Sequence, residues 1–141
     1  MDVAEISKLD NYLKRLFGSP RIRVVPRPQR DDYAEVFLGD EMFGRIVVDD
    51  EDDERSYNFE MKLLLGEPVS VKSLKVLEAT LQNRFDNKNI RVVARPRKTD
   101  SAEVCVGQDY IGVLFFDEEE TRSCYFEMPI LDFDLEETRT A

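Results

Sequence analysis

The sequence predicts an α+β fold: two tandem units, each a helix followed by a four-stranded antiparallel meander, packed as a pseudo-twofold intramolecular dimer. Three observations predict it. The chain repeats itself, each copy opens with apolar residues at helical spacing, and each then shows four short strand signals separated by turn residues. Moved by 68 positions, Leu9, Leu13, Phe17, Ile22, Val24 and Pro28 fall on Leu77, Leu81, Phe85, Ile90, Val92 and Pro96. After the acidic run the offset is 67, so "RSYNFEM" (Arg55–Met61) meets "RSCYFEM" (Arg122–Met128). A one-residue loss inside a charged loop is the change a fold tolerates best. Split at Gly66, each half carries ten Lys and Arg against fifteen Asp and Glu, a net of −5 apiece. Two like units pack naturally as a fused version of a symmetric dimer.

In the first copy, Asp2 with Glu5 three residues on is a helix-start signature. Ile6, Leu9, Leu13, Leu16 and Phe17 then form one apolar stripe, which Gly18 and Pro20 end. Strands are predicted over about Ile22–Arg27, Ala34–Leu38, Met42–Val48 and Tyr57–Leu63. In the last of these, Tyr57, Phe59, Met61 and Leu63 alternate with Asn58, Glu60 and Lys62. "LGDEMFG" and "VGQDYIG" read as tight hairpins. The second copy predicts a helix capped by Ser70, with the stripe Val71, Leu74, Leu77, Leu81 and Phe85. Its strands follow at Ile90–Arg95, Ala102–Val106, Tyr110–Phe116 and Cys124–Ile130. "YIGVLFF" is apolar on both faces, as a central or interface strand would be. The domain boundaries predicted are 1–65 and 71–141, the latter with an acidic C-terminal tail, joined by the linker 66–70.

Bulk properties narrow the function. A net charge of −10 disfavours nucleic acid and anionic membranes as partners, since both are held chiefly through Lys and Arg. No apolar run reaches the ~20 residues of a membrane span. Two cysteines, Cys105 and Cys124, give no disulfide framework and fit a reducing cytoplasm. With no histidine, the chain has no Ser–His or Cys–His nucleophile and no imidazole ligand, and phosphate-cradling glycine motifs are absent. A non-enzyme without cofactor is expected.

Against that acidic background, "RIRVVPRPQR" (Arg21–Arg30) holds four arginines and no acid, and the second copy repeats it as "NIRVVARPRK". Strand alternation places Ile22, Val24 and Pro26 on one face and Arg21, Arg23 and Arg27 on the other, with Arg91, Arg95 and Arg97 in the second copy. The prolines, which lack a backbone donor, mark an edge strand. Three readings follow: a docking surface for an acidic protein, one for phosphate groups, or arginines paired with the protein's own acids and guarding an edge against aggregation. The acidic run "DDEDDE" suggests a calcium loop, with Asp49, Glu51 and Asp53 at alternate positions. Glu54 stands where such a loop needs glycine, and strands rather than helices flank the run, so a solvated hairpin loop is expected. Gly44 and Gly112 inside strand signals predict a bulge or a bulky neighbour crossing bare backbone.

"IRVVARPRKTDSAEV", "VGQDYIGVLFFDEEE" and "YFEMPILDFDLEE" resemble the core of a small alphaproteobacterial family, domain of unknown function 3126, whose members are typically single copies of this unit. The second half, about Val71–Glu137, resembles the family pattern almost throughout. The first departs from it at Gln29, Tyr33 and Arg45 and in "MKLLLGE". The resemblance implies a cytoplasmic bacterial protein and supplies no activity. The expectation is an acidic adaptor or interaction module binding an unknown protein partner, able to homodimerise again. The alternatives are a nucleic-acid-associated protein using the basic strands, or a small-ligand or metal-sensing module in the groove between repeats.

Overall fold

The computed structural model describes residues 1–50 and 54–136. These form three helices and an antiparallel sheet of eight strands. The chain packs as two compact units, one of Met1–Glu60 with the C-terminal segment from Pro129, the other of Met61–Met128.

In the first unit, α1 (Val3–Phe17) starts at Asp2, whose carboxylate accepts from the Glu5 backbone N–H while Glu5 reaches back to the Asp2 N–H. This reciprocal pair satisfies two of the donors that a helix start leaves open. Gly18, in a left-handed conformation, closes the helix. The stripe buries Leu9, Leu13 and Phe17 completely, or nearly so. They lie over β1 (Ile22–Pro26) and the meander β2 (Tyr33–Leu38), β3 (Glu41–Asp49) and β4 (Ser56–Leu64). Ile22, Val24, Ala34, Val36, Ile46, Tyr57 and Phe59 fill the same core. Phe59 is its hub, meeting Phe17 and Phe43 edge-on at centroid distances of 6.3 and 6.0 Å. Burying one such aromatic side chain contributes about 1.5–3 kcal/mol.

The second unit repeats the plan. β5 (Ile90–Ala94), β6 (Ser101–Val106), β7 (Asp109–Phe116) and β8 (Ser123–Leu131) form the meander, with α2 (Leu74–Phe85) against β5. Leu77, Leu81 and Phe85 face Ile90, Val92, Ala102, Val104, Leu114 and Phe126 in the core. The strands before β6 and after it keep the first unit's register, residue for residue: Val24 opposes Val36, and Val92 opposes Val104.

Three local features differ from the sequence expectation. Ser70 does cap, but it caps a 3-10 turn over Val71–Ser73, and α2 begins only at Leu74. Val71 therefore sits ahead of the helical stripe. Pro26 is exposed rather than on the buried face. Finally, the acidic C-terminal region opens with a short helix, α3 (Asp132–Glu136). It is held by the Asp134 carboxylate accepting from the Leu131 N–H at 2.9 Å and by Leu135, which is buried. α3 lies against α1 in the first unit.

Both glycine expectations hold. The ladder slips between Val36 and Phe37, and again between Val104 and Cys105, beside Gly44 and Gly112. At those glycines the Phe59 and Phe126 rings cross the backbone, so an added Cβ would fall 2.8 Å from either ring. No helix among the described residues is long and apolar enough to cross a membrane.

Candidate docking face

The six predicted site arginines all lie on or beside β1 and β5, and most are engaged within their own unit. Arg23 donates to the Gly39 carbonyl at 3.1 Å and stacks on the Phe37 ring, 5.4 Å from its centroid. Arg91 makes the same reach to the Gly107 carbonyl at 3.4 Å. In each unit a strand arginine thus pins the hairpin beside it. The Arg21 guanidinium also lies against Gly39. Arg27 pairs with Glu35 at 3.3 Å, whereas its counterpart Arg95 donates to the Ser101 hydroxyl at 2.9 Å. Arg97 is exposed in a turn closed by the Lys98 N–H on the Arg95 carbonyl, and like Gln29 it adopts a positive φ. Proline before a left-handed residue is the type II turn pattern, which ordinarily takes glycine or asparagine at that third position.

The edge formed by β1 is closed to strand addition. Its outward backbone donors would be those of residues 22, 24 and 26. Ile22 N–H goes to the Ser19 carbonyl, Val24 N–H to the Asp10 carboxylate at 2.9 Å, and Pro26 has none. In the second unit Val92 N–H goes to the Glu78 carboxylate, also at 2.9 Å, while the Gln82 amide donates to the Ile90 carbonyl at 2.8 Å. A helix carboxylate thus occupies the site that a docking strand would need, a device that blunts aggregation at sheet edges.

The sheet face turned away from the helices is where the units diverge. In the first, a row of partners runs Val25, Glu35, Arg45, Glu60. Arg45 bridges to Glu60 at 2.8 Å, and Asn58 donates to the same carboxylate at 3.1 Å. In the second the row runs Val93, Glu103, Val113, Glu127, and in the next row Phe115 opposes Tyr125. Phe115 and Tyr125 are 37% and 39% exposed, large values for aromatic side chains in the body of a sheet. The Tyr125 hydroxyl donates to Asp117 at 3.4 Å, and the Lys62 ammonium lies 5.7 Å from its ring centroid. Sequence reasoning concentrated on the arginines and did not single out these two residues, although "YIGVLFF", apolar on both faces, carried the signal.

Of the acids considered for calcium, Asp49 ends β3 opposite Ser56, and Glu51 and Asp53 lie outside the described residues. Among the described residues no group of three or more potential ligands converges on a point. The titratable groups with marked shifts serve the fold. Glu5 is buried enough to be pushed upward, but donors from Tyr57, Arg55 and the Asp2 backbone outweigh burial and hold it below its usual range. Burial and the hydrogen bond to Glu5 push Tyr57 up to about 12. Burial alone pushes the Cys124 thiol up to about 11. Together Glu5, Arg55, Tyr57 and Asp50 tie the start of α1 to the start of β4.

No curated protein and no solved structure matches the chain at a significant level. One family model matches twice, over residues 5–67 and 73–134, and it is described as a protein of unknown function, DUF3126. Each match spans one helix and the four strands that follow it, so the repeat seen in the residues is the family's own unit. The chain belongs to that family and carries two tandem copies of its domain.

Proposed function

We propose that this protein is a non-catalytic interaction module that docks a partner protein on a sheet face rather than along a sheet edge. The observation that carries the reading is the pair Phe115 and Tyr125, adjacent and more than a third exposed on the face away from the helix. Contiguous apolar surface outside the core is a feature of contact sites. The closed β1 edge supports face docking, because the extended-peptide mode needs free backbone donors. The absence of histidine and the use of the shifted groups as structural ties both favour a binding role over a catalytic one. Two unpaired cysteines fit a cytoplasmic setting.

The test is affinity capture from the native lysate, with and without nuclease, using wild type beside a variant carrying Phe115→Ser and Tyr125→Asn. A protein held by wild type at moderate salt and lost from the folded variant supports the reading. Identical captures from both, or recovery that vanishes with nuclease, would sink it.

A further inference from the structure

The turn that follows the edge strand is basic in both units but bonded differently in each. In the first, Arg27 pairs with Glu35 at 3.3 Å. Arg30 grips Asp32 with two nitrogens, at 3.0 and 2.9 Å, and its guanidinium lies 4.7 Å from the Tyr33 ring centroid. Both cations therefore hold a carboxylate, and the ring has a cation over it.

In the second unit Ser101 stands where the first has Tyr33. It is fully buried, although the register sets it opposite Phe115 on the outward face. Its hydroxyl accepts from Arg95 at 2.9 Å and donates to Asp100 at 3.1 Å. Arg95 is thereby fixed at one end of the row Ser101, Phe115, Tyr125. In the matching row of the first unit, Val47 and Asn58 take the places of the two aromatic residues. Arg97 and Lys98 replace Gln29 and Arg30, in the turn closed by the Lys98 N–H on the Arg95 carbonyl at 3.2 Å. Both are exposed, and neither forms an ion pair among the described residues. The exchanges that uncover two rings thus also release two cations at the end of the same row.

Resting on the docking reading above, we propose that this end of the second unit binds a protein segment in which apolar residues are followed by a run of Asp or Glu. Its apolar side chains cover Phe115 and Tyr125. Its carboxylates pair with Arg97 and Lys98, as Asp32 pairs with Arg30 in the first unit. Apolar contact gives such a complex its affinity, and complementary charge gives it orientation and partner choice. Glu103 lies in the next row and Asp117 at the Tyr125 hydroxyl. An extended phosphate backbone crossing the face would be repelled by these acids, whereas an acidic run confined to the turn is not.

The test uses the full chain and three fluorescein-labelled probes. One peptide carries phenylalanines followed by a run of glutamates, a second carries phenylalanines followed by a run of lysines, and the third probe is a single-stranded oligothymidine. Binding is read by anisotropy at about 0.15 M salt, where distant surface charges are largely screened. Because a net charge of −10 favours the lysine peptide wherever binding is non-specific, a preference for the glutamate peptide requires a local cationic site. The variants are Arg97→Gln with Lys98→Gln, and Phe115→Val with Tyr125→Asn. The charge-matched control is Lys72→Gln with Lys75→Gln, two exposed residues at the start of the helical segment. Melting temperatures verify that every variant folds. The expected result is that only the glutamate peptide binds, that each of the two variants weakens it about tenfold or more, and that the control does not.

Equal losses from the control and from the turn variant would reduce the interaction to bulk charge and overturn the proposal. Binding that ignores Phe115 and Tyr125 would move the site off the face and overturn it as well. A lysine peptide that binds in place of the glutamate peptide, and depends on the two rings, would overturn the partner chemistry while leaving the docking reading intact. Preference for the oligothymidine would overturn both. Failure of the glutamate peptide to bind also overturns the proposal, and the lysate capture then decides the docking reading separately.

Discussion

The backbone N–H of Val24 donates to the Asp10 carboxylate at 2.9 Å, and 68 residues later the N–H of Val92 donates to the Glu78 carboxylate at the same distance. Aspartate and glutamate differ by a methylene, yet both helices deliver an oxygen to the same outward donor of the edge strand. Asp10 is also braced by Lys14 one helical turn on, at 2.6 Å. Helix, edge and core are thereby joined at one point in each unit.

Removing that acceptor leaves a half-buried donor unpaired. Asp10→Ala and Glu78→Ala should each lower stability by about 1–3 kcal/mol, whereas Asp10→Asn, which keeps an acceptor, should cost less. Urea unfolding followed by circular dichroism measures the difference. Equal losses for Ala and Asn would show that the strand donor does not depend on the carboxylate oxygen.

The tie between Glu5 and Tyr57, 2.6 Å from hydroxyl to carboxylate, makes stability depend on pH at both extremes. Glu5 is depressed in the folded chain, so its contribution is present above its ordinary value of 4.5 and is lost as pH falls through the lower folded value. Tyr57 is raised from 10.0 to about 12, so its contribution is whole below pH 10.0 and is lost as pH climbs toward 12. Glu5→Gln should therefore destabilise at neutral pH and match wild type in acid. Tyr57→Phe should flatten the alkaline limb. Melting curves across pH test both, and a constant gap between Glu5→Gln and wild type down to the acid extreme would contradict the assignment.

Gly44 and Gly112 admit no side chain. A Cβ on Gly44 would meet the Glu60 carbonyl at 2.7 Å, and one on Gly112 the Glu127 carbonyl at 2.5 Å, each in addition to a phenylalanine ring. Because backbone cannot retreat as a flexible side chain can, Gly44→Ala and Gly112→Ala should each cost about 1–3 kcal/mol or more. Gly66→Ala, with nothing within 4 Å, is the control that should be nearly silent. Thermal denaturation of the three variants ranks them.

The two thiols should differ in reactivity. Cys124 is fully buried with its thiol pushed up to about 11, and Cys105 is only partly covered on the outward face. Since thiolate and access together set the rate, a disulfide reagent should modify Cys105 in the native protein and Cys124 only after unfolding. Mass spectrometry of the partly labelled protein tests this, and native labelling at Cys124 would mean that the core opens there.

Much of the architecture was legible in the residues because it depends on periodicity. Leu9, Leu13 and Phe17 at helical spacing, and Tyr57, Phe59, Met61 and Leu63 at spacing two, can bury their apolar groups in only one way each. Duplication then doubles every such signal. Gly44 and Gly112 were legible for a related reason, since glycine within an otherwise strong strand implies that something crosses it. The family relationship, too, was carried by the residues of the repeat.

Interactions between residues far apart in the chain were decided by tertiary structure. Nothing local in Asp10 or Glu78 says that its carboxylate will find a strand N–H fourteen residues on, because that depends on where the helix crosses the edge. The arginines of β1 and β5 stood out by composition. Their occupation by hairpin carbonyls, Glu35 and Ser101 follows from strand register alone. The contrast between Arg45 and Val113 was visible as a substitution, but only the register sets Arg45 beside Glu60 and Val113 beside Glu127. Periodicity determines which side chains a strand buries. Only the paired sheet determines which exposed side chains meet across neighbouring strands, as Arg45 meets Glu60.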